Sequence, residues 1–300
     1  MDVNAAREIT IDLPHIKLAA KAWGDESLPP LLALHGWLDN AGSFDRIAPL
    51  LCTHFHIVAI DFPGHGRSQW RPAGVWYHYV DYVSDVIATI RALGWTKFSL
   101  LGHSLGGTVA SVFAACRPDN VDRLILIEAL GPIAGDTSLT LAQFQRGMDQ
   151  RESYDEKSLR VFAREDDAIS ARRKVNNFSE GAAIAIVSRG IKPVDGGFSW
   201  SSDPRLTLAT PVRLTEEQIL AMLVGISAKT LLVLAQPEAP YLPRETMQRR
   251  IDQVPNIEVH RIAGGHHLHL EDATPIAALI EKFDANCRSG ATIPLSTHGR

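Results

Sequence analysis

The sequence predicts an α/β protein built on a doubly wound, mostly parallel sheet with an inserted helical segment. Three observations predict it. Short apolar runs at Leu31–Leu34, Ile57–Ile60, Phe98–Leu101 and Leu124–Ile127 have the near-continuous hydrophobicity of parallel strands covered on both faces. Helical spacing lies between those runs. A charged stretch after Glu128 interrupts the alternation, which resumes at Leu231.

Ile9-Thr10-Ile11-Asp12-Leu13 alternates at period 2, and His15–Trp23 follows Pro14 as a second extended stretch. The pair predicts an antiparallel hairpin at a sheet edge. After the Leu31–Leu34 strand, Asn40 is placed to cap a helix running to about Leu51, and His54-Phe55-His56 leads into the next strand. Apolar residues at helical spacing predict a helix over Tyr79–Leu93, and Leu105–Cys116 reads as a small-residue helix. Residues 131–225 carry the charge runs Arg151-Glu152, Arg164-Glu165-Asp166-Asp167 and Arg172-Arg173-Lys174, helical patterns and a turn at Gly196-Gly197. This segment is assigned to an inserted, mostly helical lid. Strand Leu231–Leu234, a helix over Glu245–Gln253, strand Ile257–Ile262 and a closing helix Pro275–Cys287 complete the pattern. Residues 1–130 and 226–288 are therefore assigned to the core, 131–225 to the lid, and 289–300 to a flexible tail.

Over 300 residues, 45% apolar and 21% charged content matches an ordinary globular protein and argues against disorder, collagen-like repeats and coiled coil. Thirty basic residues against 34 acidic ones leave a net charge of −4, with no solidly basic stretch. An electrostatic footprint for nucleic acid or anionic lipid is absent. Cys52, Cys116 and Cys287 are widely spaced and form no C-x-x-C pair, which argues against a disulfide framework and a zinc knuckle. The segment from Met1 lacks a charged region followed by an apolar one, and no run approaches the 18 apolar residues of a membrane span. These features place the chain in the cytoplasm, without a membrane span.

Gly102-His103-Ser104-Leu105-Gly106 sits where the Phe98–Leu101 strand meets the helix beginning near Leu105. That is the context a G-x-S-x-G nucleophile turn requires. Glycines two residues either side of the serine remove the Cβ atoms that would collide with neighbouring backbone, and the Leu105 N–H at the helix start can help hold an oxyanion. A serine in an ordinary glycine turn competes with this reading. A dinucleotide-binding turn spanning Gly102 to Glu128 also competes, but Ser104 at its middle glycine would crowd a pyrophosphate, and the turn follows the fifth strand.

With these residues the chain resembles the α/β-hydrolase family from about residue 7 to 287. Leu34-His35-Gly36-Trp37 resembles its oxyanion loop, Asp61-Phe62-Pro63-Gly64-His65-Gly66-Arg67-Ser68 its D-x-x-G-x-G-x-S turn, and Gly102–Gly106 its elbow. Within the family, Leu34–Asp45 and Gly264-Gly265-His266-His267-Leu268-His269 look most like the serine hydrolase-like proteins. The resemblance implies that the backbone N–H groups of Trp37 and Leu105 form the oxyanion hole. His35 reads as bracing its loop, with direct catalysis as the competing role, and Asp61 and Ser68 read as turn residues.

A serine hydroxyl needs a base within reach and an acid to hold that base's tautomer. The family's G-x-H entry to the final helix favours His266 as the base. His267 is its rival, because related dehalogenases place an acid four residues after their histidine, as Glu271 is here; His269 packs or faces solvent. For the acid, Glu238 follows the Leu231–Leu234 strand, where most of the family keeps it, but Gln236-Pro237-Glu238-Ala239-Pro240 departs from the usual G-x-x-D. Glu128, ending Leu124–Ile127, resembles the position used by haloalkane dehalogenases and some lipases. A carboxylate ending so apolar a strand is costly unless paired. Glu128 is the favoured acid.

These residues predict a serine hydrolase that cleaves a small-molecule carboxylic ester or thioester through an acyl-enzyme, with no metal or cofactor. A serine in place of the aspartate of dehalogenases and epoxide hydrolases argues against both of those chemistries. A carbon–carbon bond hydrolase or a serine peptidase can use the same triad, and a catalytically silent ligand-binding member of the fold is the alternative from another class. Phe144, Met148, Phe162, Phe178, Phe198 and Trp200 are candidate pocket walls, with ordinary packing the stronger reading for each.

Overall fold

The computed structural model of the protein describes residues 5–154, 159–239, 241 and 243–289. The chain opens with β1 (Arg7–Asp12), β2 (Lys17–Trp23) and β3 (Pro30–Leu34), followed by α1 (Ala48–Leu51) and β4 (His56–Ile60). Next come α2 (Tyr79–Ala92), β5 (Phe98–His103), α3 (Leu105–Cys116) and β6 (Val121–Ile127). The intervening segment holds α4 (Thr140–Glu152), β7 (Val161–Phe162), α5 (Glu165–Asn176), α6 (Glu180–Gly190), β8 (Ile191–Val194), β9 (Gly197–Trp200) and α7 (Glu216–Leu223). The chain then returns through β10 (Lys229–Gln236), α8 (Arg244–Ile251), β11 (Ile257–Ala263), α9 (Leu268–Glu271) and α10 (Ala273–Arg288).

Eight strands form the central sheet in the order β1-β2-β4-β3-β5-β6-β10-β11. β1 and β2 make the expected antiparallel edge hairpin and β2 runs antiparallel to β4, while the remaining neighbours are parallel. Successive side chains of a strand point to opposite faces. Leu32, Leu34, Leu124 and Leu126 accordingly enter an apolar cluster on one face, and Leu31, Ala33, Ile125 and Ile127 enter a second on the other. Full burial of each such leucine or isoleucine contributes about 1.5–3 kcal/mol, which explains why these runs carry no polar face.

Two local expectations resolve differently. Asn40 does act as a cap, its side chain accepting from the Gly42 N–H, but the segment it starts is a 3₁₀ turn over Ala41–Phe44, and helix resumes only at Ala48. Pro49 lacks an N–H and sits in the first turn of α1, where that loss is harmless. The segment after β6 is helical as expected, but it also holds a three-stranded sheet, β7-β9-β8, whose hairpin turns at Asp195-Gly196. α7, inside the 131–225 boundary, packs against α3 and α8, and its Ile219 and Leu223 belong to the core cluster. Tail residues 290–300 lie outside the described residues. Among the described residues no helix is long and apolar enough to cross a membrane.

Parallel strands all present their carboxyl ends at one edge of the sheet, which is where doubly wound folds bind ligands. The inserted segment is tied to the loops at that edge. Arg189 of α6 pairs with Asp61 after β4, Arg172 of α5 with Asp39 after β3, and the Asn40 amide donates to the Ile186 carbonyl.

Candidate active site

Ser104 stands between β5 and α3 with φ 51° and ψ −112°, a conformation that costs an L-residue strain. The Ser104 N–H donates to the Ile127 carbonyl at 3.0 Å, and its own carbonyl accepts from Thr108 at 2.9 Å. The turn is pinned from both sides. A Cβ on Gly106 would lie 1.9 Å from the Leu34 carbonyl oxygen and one on Gly102 2.5 Å from the Gly106 oxygen, so both positions require glycine. The first N–H groups of α3 have no intrahelical acceptors, and Leu105 therefore offers a free donor beside the serine.

The loop after β3 lies against this elbow, the Gly106 N–H donating to the His35 carbonyl. His35 is fully buried, and burial pulls its pKa down to about 4. Its Nε2 accepts the Phe62 N–H at 3.0 Å, which leaves the proton on Nδ1 to reach the Gly36 carbonyl at 2.7 Å. The ring braces the loop. Asp61 and Ser68 are turn residues in the same sense: the Asp61 carboxylate accepts the N–H groups of Ala41 and Arg67, and the Ser68 hydroxyl donates to the Asp61 carbonyl.

Glu128 follows β6 in a positive-φ conformation of 58° and is 3% exposed. One carboxylate oxygen accepts the Ala235 N–H, and the other lies 3.2 Å from His266 Nδ1. Glu238 is elsewhere: its carboxylate lies 3.9 Å from Arg244 and Arg261, and it does not line the pocket that Ser104 and His266 share. The rival base, His267, directs Nε2 to Asp39 at 3.1 Å, while Glu271 accepts the Ser179 N–H instead. His269 is buried, with Nε2 2.8 Å from the Ser43 hydroxyl.

Sequence reasoning missed two features. The Tyr241 hydroxyl lies 2.8 Å from His266 Nδ1, sharing that nitrogen with Glu128; burial and the nearby Glu128 charge push the phenol up to about 12. No spacing rule connects a tyrosine in the loop after β10 to a histidine 25 positions later. The second is a cluster of buried His103, His267 and Asp39 with the partly buried Arg172. Against the cost of burial, His267 and Arg172 hold the Asp39 carboxyl well below the usual range. Burial and the neighbouring histidines hold His103 neutral.

Gly36, Trp37, Ser104, Leu105, Glu128 and His266 all line one cavity of about 600 Å³. Its other walls include Asp39, Trp76–Tyr79, His103, Ile133, Arg205–Thr210, Tyr241 and His267, and among the described residues none of the six candidate aromatic or methionine walls takes part. Phe162 and Trp200 pack edge to face at 5.2 Å within the inserted segment, Phe178 packs on the His267 ring, and Phe144 and Met148 are exposed.

Residues 29–184 match the model of the alpha/beta hydrolase fold family. A "Serine hydrolase-like protein" of Danio rerio is 33% identical over 93% of this chain and 89% of its own length. Among solved structures, a hypothetical protein from Pseudomonas aeruginosa PAO1 superposes with a TM-score of 0.87 at 39% identity, covering 93% of this chain and 98% of that one. The thioesterase domain from the curacin biosynthetic pathway superposes with a TM-score of 0.81 at 26% identity, covering 92% of this chain and 99% of that domain. With its eight-stranded sheet, strained serine turn and these relatives, the chain belongs to the α/β-hydrolase fold family, among the serine hydrolase-like proteins.

Proposed function

We propose that this protein is a serine hydrolase that cleaves a small-molecule carboxylic ester or thioester through an acyl-enzyme. The observation that carries the reading is the pairing of His266 with the buried Glu128 in the cavity that Ser104 also lines. Ser104 Oγ attacks the acyl carbon as His266 Nε2 takes its proton, and the Glu128 carboxylate stabilises the imidazolium. The N–H groups of Trp37 and Leu105 hold the oxyanion. Collapse expels the alcohol or thiol, which takes the proton from His266. Water activated by the same histidine then releases the acid and restores Ser104. Likeness to a thioesterase domain supports including thioesters. The inserted segment ahead of α7 acts as the lid, since its Leu206–Thr210 stretch walls the cavity that Ser104 lines.

Intact-mass analysis after exposure to a fluorophosphonate tests the reading. A single adduct on the native protein that disappears in Ser104→Ala is expected. A folded protein that gains no adduct from this or a smaller probe would overturn it in favour of a ligand-binding role.

A further inference from the structure

Three donor atoms meet on the cavity wall beside the proposed triad. Asp39 Oδ2 lies 3.1 Å from His267 Nε2 and 3.8 Å from His103 Nδ1, and all three atoms fall within 4.8 Å of one another. His103 Nε2 is 2.8 Å from the His266 carbonyl, which can only accept, so Nε2 carries the ring's proton and Nδ1 carries a bare lone pair. That lone pair is fully buried, has no hydrogen-bond partner among the described residues and faces a carboxylate oxygen, another acceptor. Two buried acceptors facing each other call for a cation between them.

We propose that Asp39, His103 and His267 form a binding site for one divalent transition-metal ion of the zinc class. Two imidazoles and a carboxylate match the donor set such ions prefer, with bond lengths of about 2.0–2.2 Å. Those bonds set tetrahedral donor separations of about 3.4 Å. The two observed separations from Asp39 Oδ2 bracket that value, and side-chain rotation closes the third. Outer contacts are already in place, as metal sites require. The His266 carbonyl fixes the His103 tautomer, and Arg172 holds the other Asp39 oxygen at 2.6 Å. Gly36 keeps the approach open, since a Cβ there would lie 2.9 Å from His103 Nδ1 and 3.0 Å from Asp39 Oδ2. The cavity lines the fourth position. On binding, His267 moves its proton from Nε2 to Nδ1, so no net proton is released. Arg172 opposes the incoming charge and limits affinity.

A metal ion here would sit among rings whose centroids lie 4.7 and 5.1 Å from that of His266. Its charge beside the proposed base would oppose the positive charge that develops there in turnover, so occupancy inhibits; that consequence alone rests on the serine-hydrolase reading. The experiment is a Zn²⁺ and Co²⁺ titration of the full chain against a chromophoric chelator. One ion per chain is expected, with Co²⁺ d–d bands and no thiolate charge-transfer band. Asp39→Asn and His267→Gln should each weaken binding at least about tenfold, as loss of a ligand or its support does. Arg172→Gln should tighten it, and His266→Ala should retain it. Two substitutions at separate ligands keep the test decisive if one of them fails to fold. Absence of stoichiometric binding, binding unchanged in both ligand variants, or its loss in His266→Ala would overturn the site. Inhibition by Zn²⁺ reversed by a chelator is read separately, so a protein without hydrolase activity still shows whether the metal binds.

Discussion

Glu128 and Ser104 both hold positive φ, 58° and 51°, where a non-glycine residue stores about 1–3 kcal/mol of strain. Surrounding hydrogen bonds hold them there: the Glu128 N–H donates to Val233 and the Ser104 N–H to Ile127. Neutralising Glu128 should therefore cost far more in turnover than in stability. Glu128→Gln is expected to lower kcat by about 10⁴, the scale seen when a triad acid is neutralised. Glu238→Gln, away from the cavity, should leave kcat nearly unchanged, and an ester-hydrolysis assay on both variants decides between the two carboxylates. Tyr241 makes a subtler contribution. Its protonated hydroxyl can donate to His266 Nδ1, which favours the tautomer that cannot accept the serine proton. Tyr241→Phe should increase kcat, read in the same ester-hydrolysis assay.

At the scale of elements, Arg189 supplies the ion pairs that tie α6 to the core. Arg189 Nε lies 2.9 Å from both Asp61 oxygens, with the arginine 4% exposed and the carboxylate fully buried, while its Nη1 reaches the half-exposed Glu8. Removing one partner strands a buried charge. Arg189→Met should cost about 3 kcal/mol in urea unfolding, the low end for such pairs because Asp61 keeps the N–H groups of Ala41 and Arg67. A loss under about 1 kcal/mol would show that α6 is held by its apolar packing instead. Sequence reading was weakest in this segment. Arg172 sits in a charge run that reads only as part of the inserted segment, yet it ends on buried Asp39, because helix periodicity alone does not say which neighbour a face meets. Asp195-Gly196 between Val194 and Gly197 carries a usable hairpin signal, masked by the helical patterns on either side.

Across the whole molecule, acid sensitivity follows from buried neutral histidines. Burial lowers the pKa of His35 to about 4 and those of His65 and His269 to about 3, from 6.5 in the open chain. Between those folded-state values and pH 6.5 the unfolded chain binds protons that the folded chain refuses. Stability is therefore complete above pH 6.5 and falls as pH drops through the window, by up to about 1.4 kcal/mol per pH unit for each such histidine. Asp39, with its pKa held low, adds a loss in the same direction only below its unfolded value of 3.8. Urea midpoints at pH 7.5 and 5.5 should show the lower value at 5.5. Equal midpoints would mean that these rings protonate in the folded protein.

The strands, their parallel arrangement, the glycine-flanked turn at Ser104 and the need of a carboxylate at Glu128 for a partner were legible in the sequence, because burial on both faces, strained turns and buried charge each demand particular residue types or partners. What met Glu128 was settled only by folding. The strand ends of β5 and β6 and the loop after β11 converge at one sheet edge, which brings His266 to the carboxylate and directs His267 to Asp39. Cavity walls and the Asp39–His103–His267 cluster likewise join residues far apart in sequence, and local patterns of charge and hydropathy carry no record of such long-range meetings.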